Sequence, residues 1–257
     1  MQFTDTHCHI HEADYSGGGE AALVRARMAG VEKLICVGTD ERTSTEAATF
    51  AREHENVWAS VGLHPHDATN GVKAVAELRH LLEENQEKPS KIIAIGECGL
   101  DYFYNHSPKE AQFTMLHAQL ELAQEYNLPV IFHVRDAFDD FWPLLDEHPG
   151  LRGVLHSFTD SQKNMEEALR RGLFIGVNGI STFTKVEAQK EMFAAIPLER
   201  IILETDAPFL TPAPKRGTVN EPAFVTFVAN FLANLRSISL EELSRATNQN
   251  ASQLFLI

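Results

Sequence analysis

Phe3-Thr4-Asp5-Thr6-His7-Cys8-His9 opens the chain as a short β-type run ending in His-x-His. Residues i and i+2 of a strand share a face. His7 and His9 therefore aim two imidazoles at one point, while Cys8 faces the other way. Neutral imidazole is a common metal ligand. Two unrelated surface histidines would produce the same motif, so the recurrence of the pattern is what decides. Glu97, His133, His156 and Asp206 each stand at the end of a separate apolar run. Strand ends drawn from the whole chain onto one site require an architecture that gathers them.

Short β-rich runs alternate with longer helical patterns throughout. The spacing predicts strands at 2–6, 33–37, 57–62, 91–96, 129–133, 152–156, 173–177 and 200–204. Amphipathic helices are expected at 20–28, 45–55, 73–87, 109–126, 138–147, 161–170 and 186–195, then at 222–235 and 240–256. Ser239 followed by Glu242 suggests a capping box on the last helix. Eight strand–helix units at roughly 30-residue spacing predict an α/β fold, a parallel (β/α)8 TIM barrel forming a single domain over residues 1–257. Nearly all-apolar strands such as 91–96 suit a sheet covered on both faces. An open, doubly wound sheet is the alternative, but it would not bring the first and last strands together.

The chain has 257 residues, 44% of them hydrophobic, and a net charge of −14. No apolar run approaches the roughly 20 residues that span a bilayer. The N-terminus lacks the basic and apolar regions of a signal peptide, and a cytoplasmic protein with no membrane association is expected. Cys8, Cys36 and Cys98 cannot form a closed disulfide framework, and no CxxC occurs. A protein this acidic does not track a long duplex by neutralising phosphates. A nucleic-acid substrate would have to be gripped locally, through an end.

Six candidate ligands, His7, His9, Glu97, His133, His156 and Asp206, exceed what one tetrahedral zinc needs. Two divalent ions are the natural accounting, with Glu97, midway along the barrel, as the bridge. His7, His9 and Asp206 would share one ion with Glu97, and His133 and His156 would hold the other. Mixed imidazole and carboxylate ligands admit Mg, Mn, Zn or Co.

Phe3 to His9, Gly62-Leu63-His64-Pro65, Gly96-Glu97-Cys98-Gly99-Leu100-Asp101-Tyr102, His133-Val134-Arg135 and Glu204-Thr205-Asp206-Ala207-Pro208 resemble the signatures of the TatD family of metal-dependent deoxyribonucleases. Lys215-Arg216-Gly217 through Asn220-Glu221-Pro222 resembles its late Arg-Gly…Asn-Glu-Pro segment. The match runs in order over nearly the whole chain. It implies a TIM-barrel hydrolase of the amidohydrolase-like superfamily, a 3'–5' exonuclease acting on DNA, with the same six residues as ligands. The sequence departs from the family pattern at His11, where Asp or Asn is usual, and at Thr4 and Phe132, where aliphatic residues are usual.

The reaction expected is phosphodiester hydrolysis of single-stranded DNA ends. Asp206 would orient water and take its proton, and Glu204 would hold a metal-bound water. His64 and Arg135 would neutralise transition-state charge, Arg135 as a phosphate clamp unless it pairs with Asp136 or Asp139. Asp101 and Tyr102 sit after Glu97 as substrate-positioning or turn residues, and Arg216 and Asn220 on a loop that faces substrate or solvent. His54, His80, His106, His117 and His148 read as surface residues. No obligate protein partner is evident. The alternatives are an amidohydrolase cleaving an amide, lactone or phosphoester of a small molecule, many of which bridge their metals with a carboxylated lysine, and a non-enzymatic binding module.

Overall fold

The structure, a computed structural model, describes residues 1–86, 91–104 and 106–257. Its strands are β1 (Phe3–Cys8), β2 (Val31–Val37), β3 (Val57–Val61), β4 (Ile92–Asp101), β5 (Val130–Arg135), β6 (Gly153–Leu155), β7 (Phe174–Val177) and β8 (Ile201–Leu203). The helices are α1 (Gly19–Met28), α2 (Glu41–Glu53), α3 (Val72–Gln86), α4 (Lys109–Tyr126), α5 (Phe138–Asp146), α6 (Gln162–Arg170), α7 (Glu187–Ala195), α8 (Val225–Leu235) and α9 (Leu240–Phe255). The expected end of the third helix, Glu87, lies outside the described residues.

The strands form one eight-stranded sheet in the order β1 to β8. A parallel bridge joins Cys8 to Ala207, and the Asp206 amide donates to the His7 carbonyl at 2.8 Å. The first and last strands therefore meet, as a TIM barrel requires and an open sheet forbids. No single helix is long and apolar enough to cross a membrane among the described residues.

The chain divides into two compact units, residues 1–36 with 156–257, and residues 37–155. In the first, α9 packs on β8 and β1, burying Leu243, Leu254 and Phe255. Ser239 caps α9 by accepting from the Glu242 amide at 3.0 Å. Asn250 ties the same helix to the sheet, donating to the Leu198 and Ile201 carbonyls at 2.9 and 2.8 Å. Thr4, the polar departure in β1, is satisfied by Asn248 on α9 at 2.8 Å.

In the second unit, α2 packs on β3 and α4 on β4. A full capping box, between Asp40 and Thr43, starts α2, and it begins the helix four residues before the periodicity suggested. Asn127 ends α4 in a left-handed conformation at φ 53°, which Asn tolerates better than most residues. Phe132, the bulky departure in β5, meets Phe141 edge-on at 5.1 Å. Gly153 on β6 makes room for it, since a Cβ there would lie 2.5 Å from the Phe132 ring.

β1 and β4 run past their expected ends. β1 runs through His7 and Cys8, and β4 continues to Asp101, so Glu97 lies within β4. Each also breaks register. Between Asp5 and Cys8, three steps on β1 oppose two on β2. Between Ile95 and Cys98, three on β4 oppose two on β5. Such bulges re-aim side chains and are common beside active sites. They fall at His7 and Glu97.

Candidate metal centre

In residues 1–36 with 156–257, the predicted histidines converge. The Nε2 atoms of His7 and His9 are 3.2 Å apart. Asp206 Oδ1 lies 3.7, 3.4 and 3.9 Å from Nε2 of His7, His9 and His156. The His7 and His156 rings stack with centroids 3.6 Å apart. Asp206 reaches this position on a left-handed backbone, φ 59°, anchored by neighbours. Asn220 Nδ2 donates to the carbonyls of Thr205 and Phe209 at 2.8 and 2.5 Å. Burial works to raise the Asp206 carboxyl, but the facing imidazoles of His9, His156 and His7 outweigh it and hold it below the ordinary range.

Two further acidic residues lie buried beside these imidazoles. Glu204 Oε1 lies 3.1 Å from His156 Nδ1 and accepts the Ser157 amide at 2.5 Å. Asp5 is wholly buried and accepts from the amide and hydroxyl of Thr205 at 2.9 and 2.6 Å. Burial still pushes its carboxyl up to about 8. Asp5 also accepts the His7 backbone amide at 3.3 Å, so it fixes the strand end, whereas Glu204 faces the His156 ring, as carboxylates beside metal-ligating imidazoles do.

In residues 37–155, ligand-type atoms of His64, Glu97 and His133 lie within 4.8 Å of one another. His133 Nδ1 is 2.8 Å from Glu97 Oε1, and its Nε2 is 3.0 Å from Asp101 Oδ2. A neutral imidazole donates from one nitrogen only, so the second needs a proton or a cation against its carboxylate. That arrangement, and the crowded imidazoles around Asp206, fit divalent-metal binding. His64 Nδ1 accepts the His66 amide at 3.2 Å, and its Nε2 lies 3.7 Å from Glu97 Oε1. Burial, aided by His133, drives the His64 pKa well below the ordinary value. Neutral imidazole is the form that ligates metal.

Glu97 reaches His133 because β4 comes unusually close to β5. A Cβ on Gly99 would overlap the His133 carbonyl oxygen at 1.7 Å, and one on Gly96, at φ 136°, would meet the Ile131 carbonyl oxygen at 2.5 Å. Asp101, expected on a loop, closes β4 instead. Its Oδ2 faces the Nε2 atoms of His66 and His133 at 3.1 and 3.0 Å. Its Oδ1 accepts the amides of Phe103 and Tyr104 at 3.0 and 2.9 Å. Burial opposes ionisation, but these donors hold Asp101 well below the usual carboxylate range.

His156, expected to share an ion with His133, has its donor atoms within reach of those of His7 and Asp206, its ring lying flat on that of His7. Other expectations need correction. Asn220 does not face substrate; it is buried, and its amide carries the Asp206 backbone. Arg216 stacks on Phe183, 3.9 Å from the ring centre. Arg135 forms no ion pair with Asp136 or Asp139 among the described residues; its guanidinium covers the Phe103 ring at 3.8 Å. His148 is buried rather than a surface residue, with Gln124 and His117 at 2.9 and 2.8 Å. His11 belongs to neither donor group, its ring 6.3 Å from that of His9.

The sequence reading missed His66 and two glutamines. Gln119 Oε1 accepts the Leu63 amide at 2.7 Å while its Nε2 donates to the Leu63 carbonyl at 3.0 Å, holding the backbone before His64. Gln112 does the same for Asp101, at 2.8 and 3.0 Å. The signal was available: two amides seven residues apart on the buried face of α4 demand partners.

The family model for TatD related DNase matches residues 4–256. The chain is 37% identical to the uncharacterized metal-dependent hydrolase YabD of Bacillus subtilis, over 98% of both chains. It is 35% identical to the 3'-5' ssDNA/RNA exonuclease TatD of Klebsiella pneumoniae, over 98% of this chain and 97% of the relative. The crystal structure of YJJV, a TatD homologue from Escherichia coli K12, superposes with a TM-score of 0.91 at 34% identity, covering 99% of this chain and 98% of that one. These matches and the two donor groups agree: the chain belongs to the TatD-related DNase family of metal-dependent hydrolases.

Proposed function

We propose that the protein is a 3'–5' exonuclease that removes nucleotides from single-stranded DNA ends, using two divalent ions. The observation that carries this reading is the pair of donor groups, His7, His156 and Asp206, and His64, Glu97 and His133, in a chain matching a nuclease family over nearly its full length. His9 adds its Nε2 beside that of His7. We read residues 1–257 as one TIM-barrel domain, working in the cytoplasm, where its three buried cysteines stay as free thiols.

The donors suit Mg, Mn or Zn. Bound divalent ions supply Lewis-acid activation of the phosphoryl group and of the attacking water. The chain's own residues do the rest. Asp206, kept ionised by three imidazoles, accepts the proton of that water. Glu204 and Asp101 hold His156 and His133 in orientation. The exposed guanidinium of Arg135 meets the phosphate charge.

The test is a time course on end-labelled single-stranded DNA with metal-loaded and chelator-treated protein, beside blunt duplex, closed circular duplex and a panel of lactones and dihydropyrimidines. Metal-dependent mononucleotide release, faster from single strands, supports the reading. Turnover confined to the small-molecule panel would transfer it to the amidohydrolase alternative.

A further inference from the structure

The loop that follows β4 exposes two large aromatic side chains. Phe103 is 54% and Tyr104 43% exposed. Their rings meet edge to face at 4.8 Å. The Arg135 guanidinium lies 3.8 Å from the centre of Phe103 and 4.9 Å from that of Tyr104. Tyr104 in turn packs edge-on against His66 at 5.5 Å.

Their position is specified. Asp101 takes the amides of Phe103 and Tyr104 on one oxygen and faces the ring nitrogens of His66 and His133 with the other. One carboxylate thus ties the aromatic loop to a ligand-type histidine. Arg135, two residues after His133 on β5, completes the link. A surface aromatic pair with no functional partner would have no need of such indexing.

The charge of the chain says what the pair is for. With net charge −14, little affinity for a polyanion is available from phosphate neutralisation. Stacking of a base on an aromatic ring does not depend on net charge and tolerates any sequence. We propose that Phe103, Tyr104 and Arg135 form a stacking subsite for a nucleobase of single-stranded nucleic acid, with Arg135 presenting its donors alongside. This rests on the nuclease reading above for its ligand class, but it concerns binding and can be tested apart from cleavage.

The experiment measures binding of the metal-loaded protein, by fluorescence anisotropy, to a labelled phosphorothioate oligothymidylate, which resists hydrolysis. An abasic oligomer of the same length and backbone is the comparison. Wild-type protein is expected to bind the base-bearing strand about tenfold more tightly, the scale of one stacked base. The double variant Phe103→Ala/Tyr104→Ala loses that preference while its affinity for the abasic strand stays within about twofold, and Phe103→Trp retains the preference. Both side chains are exposed, and an unchanged melting temperature confirms the fold. A double variant that keeps the wild-type preference, or that weakens both strands equally, overturns the subsite. So does wild-type protein that does not distinguish the two oligomers. Base-selective binding without any cleavage would sink the nuclease reading and leave the subsite standing.

Discussion

In residues 1–36 with 156–257, the candidate ligands are almost shut away. The side chains of His7, His9 and His156 are 1%, 5% and 4% exposed, and buried Glu204 faces the His156 ring. In residues 37–155 the equivalent group is more open, with His64 at 12% and His133 at 20%, and through Asp101 it adjoins the partly exposed rings of Phe103 and Tyr104. The first group has three imidazoles around one carboxylate. The second alternates carboxylate and imidazole, from Glu97 through His133 to Asp101 and His66. Burying imidazoles around an acid favours a fixed, preformed ion site and a carboxylate that stays ionised. Leaving imidazoles partly open, with one acid indexing a surface loop, favours contact with something that comes and goes. The same residue types thus stand in two settings, and burial separates them.

The largest effect should come from removing the key carboxylate of either group. Glu97→Ala is expected to lower activity by about a thousandfold or more, equivalent to about 4 kcal/mol, with far-ultraviolet circular dichroism unchanged. Asp206→Asn, which preserves tolerance of the left-handed backbone, should do the same. Elemental analysis of both variants then shows whether metal is lost equally from the buried and open groups. An active Glu97→Ala enzyme would break the two-metal reading.

Asp101→Asn tests the indexing role. Losing a carboxylate that orients a ligating histidine typically costs 10- to 100-fold in activity or metal affinity. The matching change at Glu204, Glu204→Gln, should cost about as much if both groups hold metal, and only one of the two should matter if a single group does.

Asn220→Ala probes how the buried group is held. It strips partners from the Thr205 and Phe209 carbonyls. Each unsatisfied buried group costs about 1–3 kcal/mol, so thermal unfolding should fall by several degrees, at about 2–4 °C per kcal/mol for a chain of this size. Activity should drop with it, because Asp206 lies on the segment released. An unchanged melting temperature would show that the left-handed turn at Asp206 is self-supporting.

The smallest effect is expected at His11. It stands outside both donor groups, so His11→Asp, restoring the residue usual in the family, should change activity by less than about tenfold, or about 1.4 kcal/mol. Loss of bound metal in that variant would make His11 a ligand and redraw the buried group.

Much of this was legible before any coordinates. Alternating β and amphipathic runs implied eight parallel strand–helix units, because a sheet covered on both faces needs apolar strands and helices with one apolar side. His-x-His and the acids and imidazoles at strand ends implied a metal site, because barrel strands deliver their ends to one face. Local rules could not reveal that β1 and β4 are bulged at His7 and Glu97, since register depends on the neighbouring strand. Nor could they show that Gly153 clears space for Phe132, or that Gln112 and Gln119 fasten two strand ends to α4. The stacking of His156 on His7, the structural duty of Asn220 and the exposure of Phe103 and Tyr104 likewise required tertiary structure. Each depends on which groups stand within a few ångströms across the chain, and that is where burial and hydrogen bonding act. Residue types and their spacing set the chemistry available, and packing decided which atoms share it.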